Sequence, residues 1–118
     1  MPVSDGYREL VVDQLGRVAA PIRAKRMFGG VGLYADGLFF ALIDEDTVYF
    51  KTDALTRPEF EARGMPPFRP GGEGGGVMAY HALPDDVLED VELLGAWVAR
   101  ALDVARRAKG RTKKSPAA

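Results

Sequence analysis

Residues 32–43 read GLYADGLFFALI, in which two apolar segments stand on either side of the dipeptide Asp36-Gly37. Asp-Gly is favoured in two-residue hairpin turns because both turn positions take a positive φ. We therefore predict an antiparallel hairpin whose strands are Gly32–Ala35 and Leu38–Ile43.

Further strands extend this hairpin. The turn Asp44-Glu45-Asp46 leads to a strand at Thr47–Lys51, which makes a meander, and the alternation upstream is compatible with another strand at Ala24–Phe28. Downstream, a strand at Val77–Ala82 and a short strand near Phe68 flank a segment rich in proline and glycine. The sequence thus predicts an antiparallel sheet.

The middle strand is apolar on both of its faces. Strict alternation directs Leu38, Phe40 and Leu42 to one face and Phe39, Ala41 and Ile43 to the other. Helices of the same chain can cover one face, whereas three short helices cannot reach both. We therefore predict a homodimer in which a second copy covers the remaining face.

The first helix begins near the N-terminus. Ser4 is a suitable N-cap, and an apolar stripe follows at helical spacing until Pro21 stops the helix. The stripe consists of Tyr7, Val11, Leu15 and Val18.

Two further helices follow the meander. Thr56 and Glu59 have the spacing of a capping box, and Gly64 is placed to end that short helix in a left-handed conformation. The last helix is predicted over residues 91–108 and ends at Gly110, with Asp90 separating it from a short helical turn at 84–89.

The composition fits one globular domain of 118 residues, with 47% hydrophobic and 28% charged residues. The net charge of −1 conceals a segregation, because six of the sixteen basic residues lie between positions 106 and 114. They are Arg106, Arg107, Lys109, Arg111, Lys113 and Lys114. The rest of the chain then carries a net −7, so the acidic body should repel a polyanion, whereas the basic segment could bind phosphates or only solubilise the chain.

Neither a catalytic nor a metal site is apparent, and no cofactor is predicted. His81 is the only histidine and there is no cysteine, so zinc lacks its usual ligands. Gly71–Gly76 is followed by a strand rather than by Lys-Ser/Thr and a helix, which argues against a phosphate loop. Asp44–Asp46 is too short for a calcium loop, and the two serines lie in terminal segments.

One segment carries a possible partner-binding surface. Lys25 and Arg26 lead into Met27 and Phe28, which are followed by Gly29 and Gly30. The simpler interpretation is a bulge with a basic, solvated face, which we favour. The functional interpretation is an edge that binds an acidic protein or a nucleic acid.

The motif MFGGVGLYADG at residues 27–37, with YFKTD at 49–53 and MAY at 78–80, resembles the N-terminal domain of the TfoX/Sxy family, regulators of DNA-uptake competence. The ordered motifs continue through LPDDVLED at 83–90. This resemblance implies a two-layer α+β sandwich of the secretion-chaperone-like kind, with helices on one face of an antiparallel meander sheet. The implied order is helix, three strands, helix, two strands, helix. We assign residues 1–108 to this domain and 109–118 to a basic flexible tail.

The resemblance also implies a regulatory role without catalysis. Full-length members of the family carry an additional C-terminal domain, whereas a basic tail occupies that position here. We expect a protein partner, with the transcription machinery as the candidate. The alternatives are nucleic-acid binding through the basic tail with Lys25 and Arg26, and a small-molecule binder of unknown type. The first ten residues lack an apolar core and the longest apolar run is too short to span a bilayer, so we expect a cytoplasmic protein without membrane association.

Overall fold

The structure is a computed structural model that describes residues 4–19, 21–27, 30–69 and 78–117. The described strands form one antiparallel sheet in the order β1-β2-β3-β4-β6-β5. They are β1 Ile22–Met27, β2 Gly30–Ala35, β3 Leu38–Asp44, β4 Thr47–Lys51, β5 Pro67–Phe68 and β6 Met78–Ala82. The helices are α1 Asp5–Gly16, α2 Arg57–Ala62, α3 Asp85–Glu89 and α4 Val91–Ala117. The predicted two-layer α+β architecture is confirmed.

Both predicted hairpin turns form. Asp36 and Gly37 have φ values of 53° and 75°, and Glu45 and Asp46 have φ values of 50° and 53°. Asp and Gly tolerate this left-handed region better than most residues do, which explains the first turn. The upstream strand also forms as β1, so four strands rather than three precede α2.

The predicted helix boundaries are correct where a cap is local. The Ser4 hydroxyl accepts a hydrogen bond from the Tyr7 amide at 3.2 Å, and Asp90 accepts from the amides of Glu92 and Leu93 at the start of α4. Gly64 takes the expected positive φ of 73°.

The prediction of a capping box at α2 is wrong. The Thr56 hydroxyl accepts from the Asp53 amide at 3.1 Å instead of capping α2, and Glu59 forms an ion pair with Arg100 at 2.9 Å. The long side chain of Glu59 therefore ties α2 to α4, a tertiary contact that the local motif does not reveal.

Two helix ends also differ from the prediction. Helix α1 ends at Gly16, before Pro21, and the amides of Val18 and Ala19 donate to the Leu15 carbonyl in the turn that follows. Helix α4 continues past Gly110 to Ala117. A single glycine costs a helix only about 1 kcal/mol, and the neighbouring alanine, arginine and lysine residues are strong helix formers.

A β-bulge decides which side chains of β3 enter the core. Tyr34 pairs with Phe39 and Leu33 pairs with Ala41, so Phe40 is the extra residue. Phe40 and Ala41 are both fully buried in the core, on the side of the sheet that the helices cover. The strict alternation predicted for β3 therefore holds through Phe40 and is wrong from Ala41 onward.

The core lies between the helices and this covered face of the sheet. Its fully buried members include Val11, Leu15, Leu33, Phe40, Ile43, Phe50, Val87 and Leu94. The opposite side, which we call the second face, carries Tyr34, Phe39, Leu42, Tyr49, Lys51, Phe68 and Tyr80. Within the described residues, no helix packs on the second face.

Candidate functional site

The predicted binding segment lies at one edge of the sheet. Strand β1 pairs only with β2, and the side chains of Lys25 and Arg26 are exposed on it. Met27 is the last residue of β1 and pairs with Gly30. Phe28 and Gly29 lie outside the described residues, as does the Gly71–Gly76 run that we interpreted as a loop without phosphate-binding function.

Gly30 is required by a close backbone approach. It is buried, and a Cβ at this position would collide with the carbonyl oxygen of Ile43 on the neighbouring strand. The glycine therefore lets β2 and β3 pair closely next to the edge strand, which is a structural role.

Charge is divided between the two layers. Among the described strand residues, the only acid is Asp44, against the bases Arg23, Lys25, Arg26 and Lys51. Most of the acidic side chains lie on the helices or at their caps. The net negative charge of the body is therefore not distributed evenly between the two layers, and the described strands carry more bases than acids.

An aromatic row crosses the second face. Arg23 pairs with Tyr34, and Tyr34 pairs with Phe39. The rings of Tyr34 and Phe39 are stacked, with centroids 5.0 Å apart and planes inclined by 23°. Phe39 also contacts Tyr80 at 5.7 Å, and the Lys51 ammonium lies 5.9 Å from the Phe39 ring and 5.4 Å from the Tyr80 ring. Cation–π contacts of this kind hold a positive charge against the rings.

A second ring pair lies on the same face. Tyr49 and Phe68 have centroids 5.0 Å apart, and both side chains are half-buried. Burial raises the pKa of Tyr80 to about 12, with Tyr34 as a lesser cause, and burial also raises the pKa of Tyr49. These phenols stay protonated at neutral pH, so they offer apolar rings and hydroxyl groups rather than acid–base chemistry.

The basic C-terminal segment is partly used inside the fold. Arg106 pairs with Asp103 at 2.9 Å, and Arg107 pairs with Asp53 at 2.7 Å. Lys109 is exposed on α4, and the helical backbone continues through the positions of Arg111, Lys113 and Lys114. Of the six basic residues that we predicted as partner-binding candidates in this segment, Arg106 and Arg107 therefore already have intramolecular partners.

His81 is a structural residue. It is 4% exposed, its Nδ1 lies 3.0 Å from the Thr52 hydroxyl, and its ring packs 5.7 Å from that of Phe60. Burial lowers the pKa of His81, so the imidazole is neutral at neutral pH. The sequence-based prediction of a half-buried position underestimates how completely the fold encloses it.

The helix layer has a shallow depression of about 400 Å³ between α1 and α3. Tyr7, Gln14 and Asp85 contribute to its lining, together with Leu10, which is 55% exposed. In the four segments that the structure describes, no three or more His, Asp or Glu side chains cluster in a way that could hold a metal ion. The described helices also include none with the length and hydropathy of a membrane span.

Comparison with known families identifies the family of this chain. The family model of the TfoX N-terminal domain matches residues 13–105, which extend from α1 into α4. The chain belongs to the TfoX N-terminal domain family. A search of curated proteins finds no match to it.

In this TfoX N-terminal domain, the segment from Lys25 to Gly30 lies within the match, and so does the aromatic row. The sequence pattern alone did not reveal that row as a surface. Tyr34 lies two residues before the turn Asp36-Gly37, and Phe39 lies two residues after it. The register of the hairpin could therefore have placed them side by side. Tyr80 could not have been added, because its pairing with Lys51 joins strands that are distant in sequence.

Proposed function

We propose that this TfoX N-terminal domain is a non-enzymatic, cytoplasmic regulatory domain that binds a protein partner and acts in transcriptional control of DNA-uptake competence. Membership of the family supports the regulatory role. The single observation that supports a protein partner is the basic edge strand β1.

Strand β1 has the properties of a docking edge. One side of its backbone pairs with β2, and the other side has no strand partner within the described part of the chain. Arg23, Lys25 and Arg26 are exposed along it, and it contains no acid. An extended segment of a partner could add to this edge through backbone hydrogen bonds, with its own acidic residues opposite the basic side chains. Basic residues on an edge also oppose pairing with a second copy of the same strand.

A binding role also agrees with the ionisable groups. His81 is enclosed and hydrogen bonded to Thr52, and the raised pKa values of Tyr49 and Tyr80 keep both phenols protonated. None of these three groups is poised for proton transfer near neutral pH. These three groups therefore agree with a function in surface recognition.

Affinity purification of the tagged protein from its native cell tests this proposal. We expect a component of the transcription machinery to co-purify with and without nuclease treatment, and Arg26→Glu to abolish its capture. Arg57→Glu makes the same charge change on the exposed start of α2 and should leave capture intact. Capture that depends on intact nucleic acid, or that is equal for both variants, would contradict the proposal.

The homodimer stays a prediction. A second copy would have to cover the second face, yet Leu42, Tyr80 and Ala82 on it are only 8%, 3% and 4% exposed in the single chain. The second face therefore does not require a second copy to bury these side chains. Sedimentation at micromolar concentration measures the state directly, and a single monomeric species would contradict the dimer.

A further inference from the structure

We propose that the second face binds single-stranded nucleic acid, with bases stacking on Tyr34 and Phe39 and phosphates contacting Arg23 and Lys25. This inference goes beyond the proposed function, since it needs neither the protein partner nor the C-terminal basic segment.

The ring pair provides the stacking platform. Tyr34 and Phe39 are half-buried, adjacent across β2 and β3, and stacked on each other at 5.0 Å. Tyr80, which is 3% exposed, supports Phe39 from β6. Rings fixed in this way lose little conformational freedom when a base stacks on their exposed parts.

The platform continues across the sheet. Tyr49 and Phe68 form the second ring pair, and Leu42 lies between Tyr49 and Gly32 in the pairing register. Lys51 holds its ammonium group over Phe39 and Tyr80, which places positive charge within the aromatic surface. A flexible single strand could therefore contact rings on several strands in succession.

Basic side chains border the platform on the β1 side. Arg23 pairs with Tyr34, and Lys25 pairs with Gly32, so both lie on the second face beside the first ring pair. Asp44 is the one acidic strand residue on the described part of this face, and it pairs with Thr47 at the end of the β3–β4 hairpin. The charge pattern therefore favours a polyanion along the row that contains Tyr34 and Phe39.

The aromatic row favours a single-stranded nucleic acid over the two other candidate polyanions, an acidic peptide and a duplex. An acidic peptide would satisfy Arg23 and Lys25, but its carboxylates gain nothing from the aromatic row. In a duplex the bases are stacked on one another, so their faces are not accessible to side chains. Unpaired bases have free π-faces that stack on aromatic side chains, largely independently of sequence.

Fluorescence anisotropy of the full chain with a labelled oligothymidylate tests the proposal. Tyr34→Leu and Phe39→Leu keep an apolar side chain but remove the ring, and we expect each to weaken binding about tenfold or more. Tyr34→Trp keeps an aromatic ring at this position and should retain wild-type affinity. The melting temperature of each variant shows whether the fold is preserved.

The phosphate contacts have a separate signature. Arg23→Gln and Lys25→Gln should each reduce the slope of log affinity against log salt by about 0.7 per lost contact on a single strand. Arg57→Gln removes a charge from the helix layer and is the matched control, for which we expect an unchanged slope.

Four results would overturn the inference. They are no binding at low salt, equal affinity for duplex and single strand, stronger binding of polyglutamate than of oligothymidylate, and loss of binding only when residues 109–118 are deleted. A stable dimer that does not bind the oligonucleotide would instead assign the second face to self-association. The proposed protein partner is tested independently, because Tyr34→Leu should still capture it.

Discussion

Replacing Gly30 should destabilise the domain through a steric clash with backbone. Gly30 is buried at the start of β2, and an added Cβ would collide with the carbonyl oxygen of Ile43 and lie 3.5 Å from the Asp44 carboxylate. The obstructing oxygen belongs to the neighbouring strand β3 and cannot rotate away. Relief of the clash therefore requires the two strands to move apart at this point.

The magnitude follows from the steric origin of the clash. Gly30 is not among the residues with positive φ, so its backbone conformation itself is open to other residues. Overpacking a well-packed site costs about 1–3 kcal/mol, with Gly30→Ala near the lower end and the branched Gly30→Val near the upper end. At roughly 4 °C per kcal/mol for a domain of this size, the melting temperature should fall by about 4–12 °C.

Thermal and urea unfolding of Gly30→Ala and Gly30→Val measure this effect. Gly6→Ala is the matched control, because a Cβ at Gly6 would meet nothing within 4 Å on the exposed side of α1. We expect that control to stabilise the protein by up to about 1 kcal/mol, since alanine is the better helix former. If both Gly30 variants melt at the wild-type temperature, the inference that Gly30 is required by the close approach of β2 and β3 is wrong. The alternative position, Gly29, lies outside the described residues.

Three further predictions concern charge and the C-terminal segment. Partial burial acts to raise the pKa of Asp53, but hydrogen bonds from Arg107 and two backbone amides outweigh it and hold that pKa below its ordinary value. Asp53→Asn should lower the free energy of unfolding by about 1–2 kcal/mol at neutral pH, after allowance for the 37% exposure of Arg107. This difference from the wild type should vanish as acid protonates Asp53. Urea unfolding across pH measures it, with Asp103→Asn as a control that should have almost no effect. Because burial lowers the pKa of His81, stability should decline as pH falls from the ordinary value of 6.5 toward the lower folded value, and an NMR titration midpoint above 6.5 would contradict this. Deleting residues 109–118 should shorten α4 and reduce the helical circular dichroism but leave the melting temperature unchanged, since the sequence beyond Gly110 is not apolar enough to enter the core; a lower melting temperature would show that this segment packs on the domain.

Several features were predictable because their causes are local. Asp36-Gly37 defines the first hairpin, since the preference for positive φ belongs to those two residues. Ser4 and Asp90 begin helices by hydrogen bonds to amides two or three residues away. These local signals predicted the first hairpin and the starts of α1 and α4.

The errors arose where other residues, some near in sequence and some distant, compete with a local motif. Thr56 and Glu59 have the spacing of a capping box, but Asp53 and Arg100 offer these side chains other partners. The extra residue Phe40 is likewise invisible in the alternating pattern of β3. Pairing with β2 and packing against the helices place both Phe40 and Ala41 in the core.

The amino-acid sequence by itself determined the positions of most helices and strands, the two hairpin turns and the total charge, because these depend on neighbouring residues or on composition. Only the tertiary structure decided how the charge divides between the layers and which rings meet on the second face. The contact of Phe39 with Tyr80 requires β4 and β6 to pair across the intervening helix α2 and strand β5. Such a pairing depends on the packing of the whole core, and no local pattern specifies it.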